Sequence, residues 1–273
     1  MTLHKDDFIY LRTLVKQKSG ISLSDDKAYL IESRLMPVMS LHKVSGFSDL
    51  VSRLRLGQDA RLVTDIVEAM TTNETSFFRD MKPFDQLRDS LVPWVAEQNK
   101  SRQLDIWCAA SSTGQEPYSI AMTLMENKHK LPDWRIKIDG TDIDTKVLDK
   151  AREGIYTQFE VQRGLPIMLL MKYFTQQESY GEKWLLKDEI KKLTSYSQFN
   201  LFGSYAARRK YDIIFCRNVL IYFEKEDKEK IVENLKSCLK PHGVLVIGAS
   251  ESLSGLTHTL APFKDIRSVF CRP

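Results

Sequence analysis

Cysteine is scarce and scattered. The four in this chain of 273 residues, Cys108, Cys216, Cys238 and Cys271, form no C-x-x-C pair, which argues against a zinc site or a disulfide framework. Cys108 and Cys216 fall in apolar, strand-like runs and read as small buried hydrophobes of a protein in a reducing cytosol. The five histidines, His4, His42, His129, His242 and His258, keep no metal-ligand spacing. Nowhere does the chain approach the roughly 20 apolar residues that span a bilayer, and residues 1–7 lack the apolar core of a signal peptide. The expected location is therefore cytoplasmic, with no direct membrane insertion. A strong charge of one sign is missing too. The net charge is +4 with no Lys/Arg run, so charge gives no argument for a nucleic-acid partner. The densest basic cluster, Arg208–Arg209–Lys210, reads as a solvated loop. Glycine is sparse, at 12 residues, and never spaced as G-x-G-x-x-G, which weakens any dinucleotide reading.

What is present falls into two patterns. Residues 1 to about 72 read as helical throughout. Phe8, Leu11, Leu14 and Val15 recur at helical spacing, followed by a helix capped at Ser24 or Asp25 that carries Tyr29, Leu30, Ile31 and Leu35. Phe47, Leu50, Val51 and Leu54 make a third apolar face, and Leu62, Ile66, Val67 and Met70 a fourth. From about residue 84 helices and strands alternate: strands at Leu104–Ala109, Trp134–Gly140, Tyr211–Cys216, Val244–Gly248 and Ser268–Cys271, with helices at Phe84–Glu97, Pro117–Glu126, Asp144–Ala151 and Lys225–Leu239, the last stopped by Pro241–His242–Gly243. That alternation predicts an α/β domain with a mostly parallel sheet. The short alternating segments between about 173 and 199 predict a small antiparallel β insertion.

Ligands of open α/β sheets sit beyond the carboxyl ends of the strands. The run Ile106–Met122 is a strand, a tight turn and a helix start. Glu116 in the first turn of that helix would repel a pyrophosphate and welcome an ammonium or sulfonium, which points away from NAD and toward S-adenosylmethionine. Asp142 ends the next strand, 28 residues after Gly114. A carboxylate there can accept both hydroxyls of a ribose, or else cap the helix at Asp144. Arg217 and Asn218 end the third strand. A last unusual run, Met70–Asp80, concentrates hydrogen-bonding side chains at the domain junction. A capping box of Thr71 and Glu74 explains part of it but leaves Asn73, Thr75 and Arg79 over.

Five motifs in order resemble the chemotaxis receptor methyltransferases, the CheR family. They are T-x-N-E-T-x-F-F-R-D at 71–80, S-T-G-x-E-P-Y-S at 112–119, D-I-D at 142–144, Asn200–Leu201, and C-R-N-V-x-I-Y-F at 216–223. The resemblance covers nearly the whole chain. It implies a Rossmann-like class I methyltransferase domain (84–273) with a β insertion at about 173–199, a linker (73–83) that contributes to the site, and an all-α receptor-docking domain (1–72). The implied activity is transfer of methyl from S-adenosyl-L-methionine to glutamate side chains of chemoreceptors, leaving S-adenosyl-L-homocysteine, in adaptation of chemotaxis signalling. The implied partner is the cytoplasmic helical bundle of the receptor. The resemblance further implies that Asn73, Thr75 and Arg79 contact the cofactor or line the reaction site. Glu116 would lie near the methionine ammonium, Asp142 on the ribose, and Asn200 with the Leu201 backbone on the adenine. Arg217, Asn218 and Tyr222 would complete the pocket. The chemistry of transfer, apart from the resemblance, assigns Arg79 and Tyr222 to orient the incoming carboxylate.

The chemistry asks for little else. A glutamate with an ordinary pKa of about 4.3 is already ionised, so no general base is needed, and the sequence offers no catalytic dyad. Some family members hold a receptor C-terminal pentapeptide through a Gly-rich loop. Here Thr175–Glu182 contains only Gly181, which argues against that tether. The second helix carries only Lys27, Arg34 and Lys43 between residues 25 and 45, which weakens an electrostatic grip on an acidic receptor. The alternatives are a methyltransferase acting on another substrate and an adaptor that senses the cofactor without transferring methyl. A nucleic-acid enzyme lacks support, because there is no N/D-P-P-Y/F motif.

Overall fold

The computed structural model describes residues 2–57, 59–177 and 182–273. Four helices open the chain: α1 (Lys5–Ser19), α2 (Ala28–Leu41), α3 (Phe47–Leu56) and α4 (Ala60–Ala69). Phe8, Leu11 and Val15 of α1 meet Ile31, Leu35, Leu50, Leu62 and Ile66 in one apolar cluster. Each helix is amphipathic, and only mutual packing buries its stripe. α2 starts three residues later than its expected cap, because Asp25–Lys27 form a 3-10 turn and Ser24 makes no side-chain cap bond. Gly20 ends α1 at φ 76°. A Cβ there would lie 2.8–2.9 Å from the rings of Phe202 and Phe223, so the position needs glycine both for its backbone and for its contact with the second domain.

The second domain begins with α5 (Lys82–Gln86), a π-helical stretch (Leu87–Leu91) and α6 (Val92–Gln98). It continues β1 (Gln103–Cys108), α7 (Gln115–Glu126), β2 (Arg135–Asp142), α8 (Thr145–Glu153), β3 (Ile155–Thr157), α9 (Gln158–Gln162), α10 (Ile167–Tyr173), β4 (Phe174–Gln177), β5 (Lys183–Leu186), α11 (Asp188–Lys191), β6 (Thr194–Gln198), β7 (Tyr211–Cys216), α12 (Lys225–Ser237), β8 (Leu239–Ile247), β9 (Ala261–Phe263) and β10 (Ile266–Cys271). Seven strands form one sheet in the order β6-β2-β1-β7-β8-β10-β9. The first five are parallel and β10 and β9 are antiparallel additions. β1 and β7 are buried along almost their whole length, as a sheet covered on both faces requires. After β1 the chain builds outward through β2, then returns to add β7 on the other side. That reversal opens a crevice between β1 and β7 at their carboxyl ends, the place where such sheets take ligands.

The small antiparallel sheet exists but differs from expectation in extent. It has the order β3-β5-β4 and starts at Ile155. Thr194–Gln198, expected within the insertion, pairs in parallel with β2 in the large sheet. The segment is five residues long, and its alternation fits an exposed edge of either sheet. The loop read for a peptide tether falls in part, at Glu178–Gly181, outside the described residues. α12 ends at Ser237, and Pro241 and Gly243 lie within β8 instead of stopping the helix. The pairing shifts register between Tyr211 and Ile213, and the bulge takes in a proline that has no N–H for a ladder.

Beneath the sheet, at the amino ends of the strands, Asp212 has no solvent exposure. It accepts from Asn99 Nδ2 (2.9 Å), the Asp105 N–H (2.8 Å) and Lys240 Nζ (2.7 Å), and pairs with His242 Nε2 (2.7 Å). Asp105 also takes Lys240 (2.8 Å) and Arg209. Asp139 takes Arg209 Nε and the Tyr211 hydroxyl, both at 3.0 Å. The basic cluster read as a solvated loop is thus partly structural. Arg209 bridges two carboxylates, and Arg208 stacks 4.4 Å over the Trp107 ring. Burial works against ionisation of Asp105 and Asp139. At Asp105 the bonds from Lys240 and Gln103 outweigh it, and at Asp139 those from Ser195 and Arg209, so both carboxyls lie below the ordinary range. A depressed folded pKa contributes stability that is full above the unfolded value of about 3.9 and is lost as pH falls through the folded one. The urea midpoint should therefore fall steeply on acidification below about pH 4, and Asp105→Asn should flatten that fall.

Candidate functional site

A cleft of about 950 Å³, counting the space at its mouth, lies over the β1/β7 crevice. Its walls come from the loops after β1, β2, β6 and β7, from the 70–79 run, and from Ser19 and Ile21 at the end of α1. Asn73, Thr75, Arg79, Glu116, Asp142, Asn200, Leu201, Arg217, Asn218 and Tyr222 all line it.

The floor is the turn after β1. Ser112 adopts φ 47° and Gly114 φ 94°, so two left-handed residues reverse the chain into α7. A Cβ at Gly114 would lie 3.0 Å from both Ala151 and the Tyr196 hydroxyl. The turn aims the Ser112 N–H at Asp142 Oδ2 (2.9 Å), while the Asp144 N–H reaches Asp142 Oδ1 (3.2 Å). Asp142 is nearly buried, and burial pushes its carboxyl up against the pull of these N–H bonds. These bonds do not use the whole accepting capacity of a carboxylate, and Asp142 lines the cleft. The helix cap is Asp144, whose Oδ1 accepts from the Lys146 N–H at 2.9 Å, so capping does not account for Asp142. Asp144 Oδ2 also accepts from Asn73 Nδ2 at 2.7 Å, which ties the 70–79 run to the second strand end.

Glu116 is not a bare anion. Arg217, with a side chain 2% exposed, donates from Nη1 to Glu116 Oε2 and from Nη2 to Asp80 Oδ2, both at 2.8 Å. Its Nη2 also reaches the Arg79 carbonyl at 2.9 Å. Burial pushes the Glu116 carboxyl up, and the Arg217 charge opposes it. Two carboxylates around one guanidinium leave one negative charge, which suits one cation in the cleft. Cys108 lies against Glu116 with its thiol pushed well up by burial, which leaves it an inert neighbour.

Thr71 caps no helix, for its hydroxyl returns to the Glu68 carbonyl (2.6 Å), and residues 71–76 belong to no helix or strand. Arg34 of α2 fastens this run with bonds to the Met70 carbonyl (2.9 Å), the Thr71 carbonyl (2.7 Å) and Thr72 Oγ1 (3.1 Å). One of the three cations counted toward a receptor grip is thereby engaged inside the protein. Further on, Phe78, Asp80 and Met81 are all left-handed at φ 48°, 69° and 45°. Three such non-glycine residues in four positions store strain. The Ser119 hydroxyl accepts from the Phe78 N–H at 2.9 Å, and Arg217 holds the other end. Arg79 curls back to the Glu74 carbonyl (3.1 Å), and Glu74 pairs with Arg163 of the small-sheet region. Gly164 is wedged against the same run, where a Cβ would strike the Phe77 carbonyl oxygen.

The all-α domain closes the cleft. The Ser22 N–H donates to the Tyr222 carbonyl (2.9 Å), and Glu224 accepts from the Ser22 hydroxyl (2.9 Å) and pairs with Lys16. Asn200 spends its amide here, donating from Nδ2 to the Lys18 carbonyl (2.7 Å) and accepting the Phe202 N–H at Oδ1 (2.9 Å). Its side chain is a clasp to α1 in this arrangement. Among the described residues, no cluster of His, Cys, Asp and Glu is suited to a metal.

Two family models cover this chain in tandem: the CheR methyltransferase all-alpha domain over residues 6–71 and the CheR methyltransferase SAM binding domain over 73–268. The chain belongs to the CheR methyltransferase family. It is 42% identical to the chemotaxis protein methyltransferase of Vibrio parahaemolyticus over 94% of this chain and 93% of that one. It is 38% identical to the Cher2 chemotaxis protein methyltransferase of Pseudomonas putida over 92% and 91%. A solved DhpI–SAH complex matches 89% of this chain and 80% of that one at 14% identity, with a TM-score of 0.38, too remote to carry weight. The cofactor of this CheR-family enzyme is S-adenosylmethionine, and the cleft fits it. The fit rests on a nearly buried Asp142 with lone pairs to spare and on the net negative trio of Glu116, Arg217 and Asp80. No helix among the described residues is long and apolar enough to cross a membrane.

Asp80, Asp144 and Arg34 shape the site and do not stand out as site residues in the sequence. Asp80 and Asp144 carried a signal, at the ends of the T-x-N-E-T-x-F-F-R-D and D-I-D motifs.

Proposed function

We propose that this enzyme esterifies glutamate side chains on the cytoplasmic helical bundle of chemoreceptors, adjusting receptor output in adaptation. The observation that carries the reading is the composite cleft, one wall of which belongs to the all-α domain. A small-molecule acceptor would not require a second domain over the reaction site, whereas a receptor helix needs a surface to lie on. In this reading residues 1–72 dock the receptor, 73–83 supply part of the site, and 84–273 hold the cofactor. The enzyme works in the cytoplasm and needs no C-terminal peptide tether.

S-adenosylmethionine supplies a methyl group already bound to a good leaving group. The protein then has to bring a carboxylate oxygen into line with it. Positioning of this kind can contribute roughly 7–11 kcal/mol. Asp142 holds the ribose hydroxyls and Glu116 the ammonium. Asn73 and Thr75 support the 70–79 wall. The Leu201 backbone takes the adenine edge, since Asn200 is bonded to α1, and Asn218 closes the pocket. Arg79 and Tyr222 orient the acceptor, and exclusion of water strengthens that pairing. No proton has to move.

The test is transfer of labelled methyl to receptor-containing membranes followed by mild alkali. Counts on the receptor band that alkali releases indicate carboxyl esters; alkali-stable counts, or none, contradict the reading. Arg79→Ala should lower kcat by on the order of 100-fold, the usual scale for a lost charged contact made in the transition state, while calorimetry finds the affinity for S-adenosylhomocysteine little changed. Equal loss of both would make Arg79 a cofactor ligand.

A further inference from the structure

Glu251 lies in the loop after β8, 33 residues along the chain from Asn218, and does not line the cleft. Its carboxylate nevertheless collects four backbone N–H groups. Oε2 accepts from Asn218 (2.8 Å) and Gly248 (2.7 Å), and Oε1 from Val219 (3.0 Å) and Leu220 (2.8 Å). Those bonds use the roughly four lone-pair sites of an ionised carboxylate. Three of the donors are consecutive residues whose N–H groups converge, the geometry of an anion nest. Asn218 stands at φ 56°, a backbone shape that an ordinary residue keeps only when its surroundings hold it. Leu220 opens the 3-10 turn that ends at Tyr222. Gly248 makes room for the carboxylate, since a Cβ there would lie 2.6 Å from Glu251 Oε2 and 3.0 Å from the Asn218 nitrogen.

We infer that Glu251 is a positioning residue for methyl transfer, fixing the loop after β7 so that Tyr222 faces the acceptor. The inference rests on the acceptor-orienting role proposed for Tyr222. The cofactor has holders on several other elements, whereas Tyr222 depends on this loop and on one bond from Ser22. Disturbing Glu251 therefore reaches the transfer step more than cofactor affinity. Glu251→Gln is the sharp variant, because its amide turns a donor toward backbone donors while keeping the side chain's size. Gly248→Ala displaces the same carboxylate without changing any charge.

Both variants should slow transfer by at least about tenfold, with the dissociation constant for S-adenosylhomocysteine within about threefold of the parent. Hydrogen exchange at the 218–220 amides should quicken in both. Added to Tyr222→Phe, Glu251→Gln should cost little more, as expected for residues acting through one contact. A parental rate in Glu251→Gln, unchanged exchange at 218–220, or a full independent cost in the double variant would overturn the inference. A parent enzyme that binds S-adenosylhomocysteine and labels no receptor would overturn the proposed substrate instead, with the exchange measurement still deciding whether Glu251 holds the loop.

Discussion

Asp142→Ala is expected to weaken cofactor binding on the order of 100- to 1000-fold, because two hydroxyl bonds to a charged acceptor are worth about 1.5–3 kcal/mol each. The loss should come with little loss of fold. Burial raises the Asp142 carboxyl, so its ionised form is a burden on the empty protein at neutral pH, and Asp142→Asn should melt within a few degrees of the parent while binding as poorly as the alanine variant. The same burial sets a pH dependence. Asp142 and Glu116 both take up protons at higher pH than ordinary carboxyls. Holding hydroxyls and an ammonium needs the ionised forms, so affinity should fall on acidification from a pH above the usual carboxylate range. Isothermal titration with S-adenosylhomocysteine across roughly pH 5 to 8, above the ordinary glutamate pKa of about 4.3 where an unperturbed carboxyl stays ionised, reads that shift. Tight binding by Asp142→Ala would remove Asp142 from the ribose.

Arg217→Ala is expected to be the most damaging single change to the fold around the cleft. It strands the carboxylates of Glu116 and Asp80 and frees the Arg79 carbonyl. Breaking a buried ion pair costs about 3–5 kcal/mol. The strained run Phe78–Met81 also loses one of its two holdings, so the melting temperature should drop by on the order of 10 °C and transfer should vanish. Arg217→Lys keeps the charge but lacks the planar fork that reaches two carboxylates at once, and should recover only a small part of the loss. Thermal unfolding of the three proteins measures this. Parental melting of Arg217→Ala would mean that the run keeps its shape without the guanidinium.

These two cases mark what the sequence could and could not reveal. The resemblance to CheR methyltransferases and the strand ends pointed to Asp142 and Glu116, because each sits in a short motif that can be read locally. Arg217 was legible as a residue of the cleft but not as the partner of Glu116 and Asp80, which lie 101 and 137 residues away in the chain. Charge pairing across the sheet leaves no local pattern. For the same reason the sequence does not reveal that the Asn200 amide, at the wall of the cleft, also grips α1, or that Arg34 fastens the Met70–Thr72 run. Strand length set another limit. Ile155–Thr157 spans three residues, too few for alternation to speak, and the sheet that Thr194–Gln198 joins is decided by β2 and not by its own side chains.

The most direct measurement maps the methyl group on the acceptor. Receptor-containing membranes are incubated with the enzyme and S-adenosylmethionine, digested, and sequenced by mass spectrometry. One added methylene on glutamate side chains of the receptor's cytoplasmic helices, absent with Asp142→Ala, is the predicted result. Methylation confined to lysines, chain ends or another protein, or none at all from an enzyme that binds the cofactor, would contradict the account.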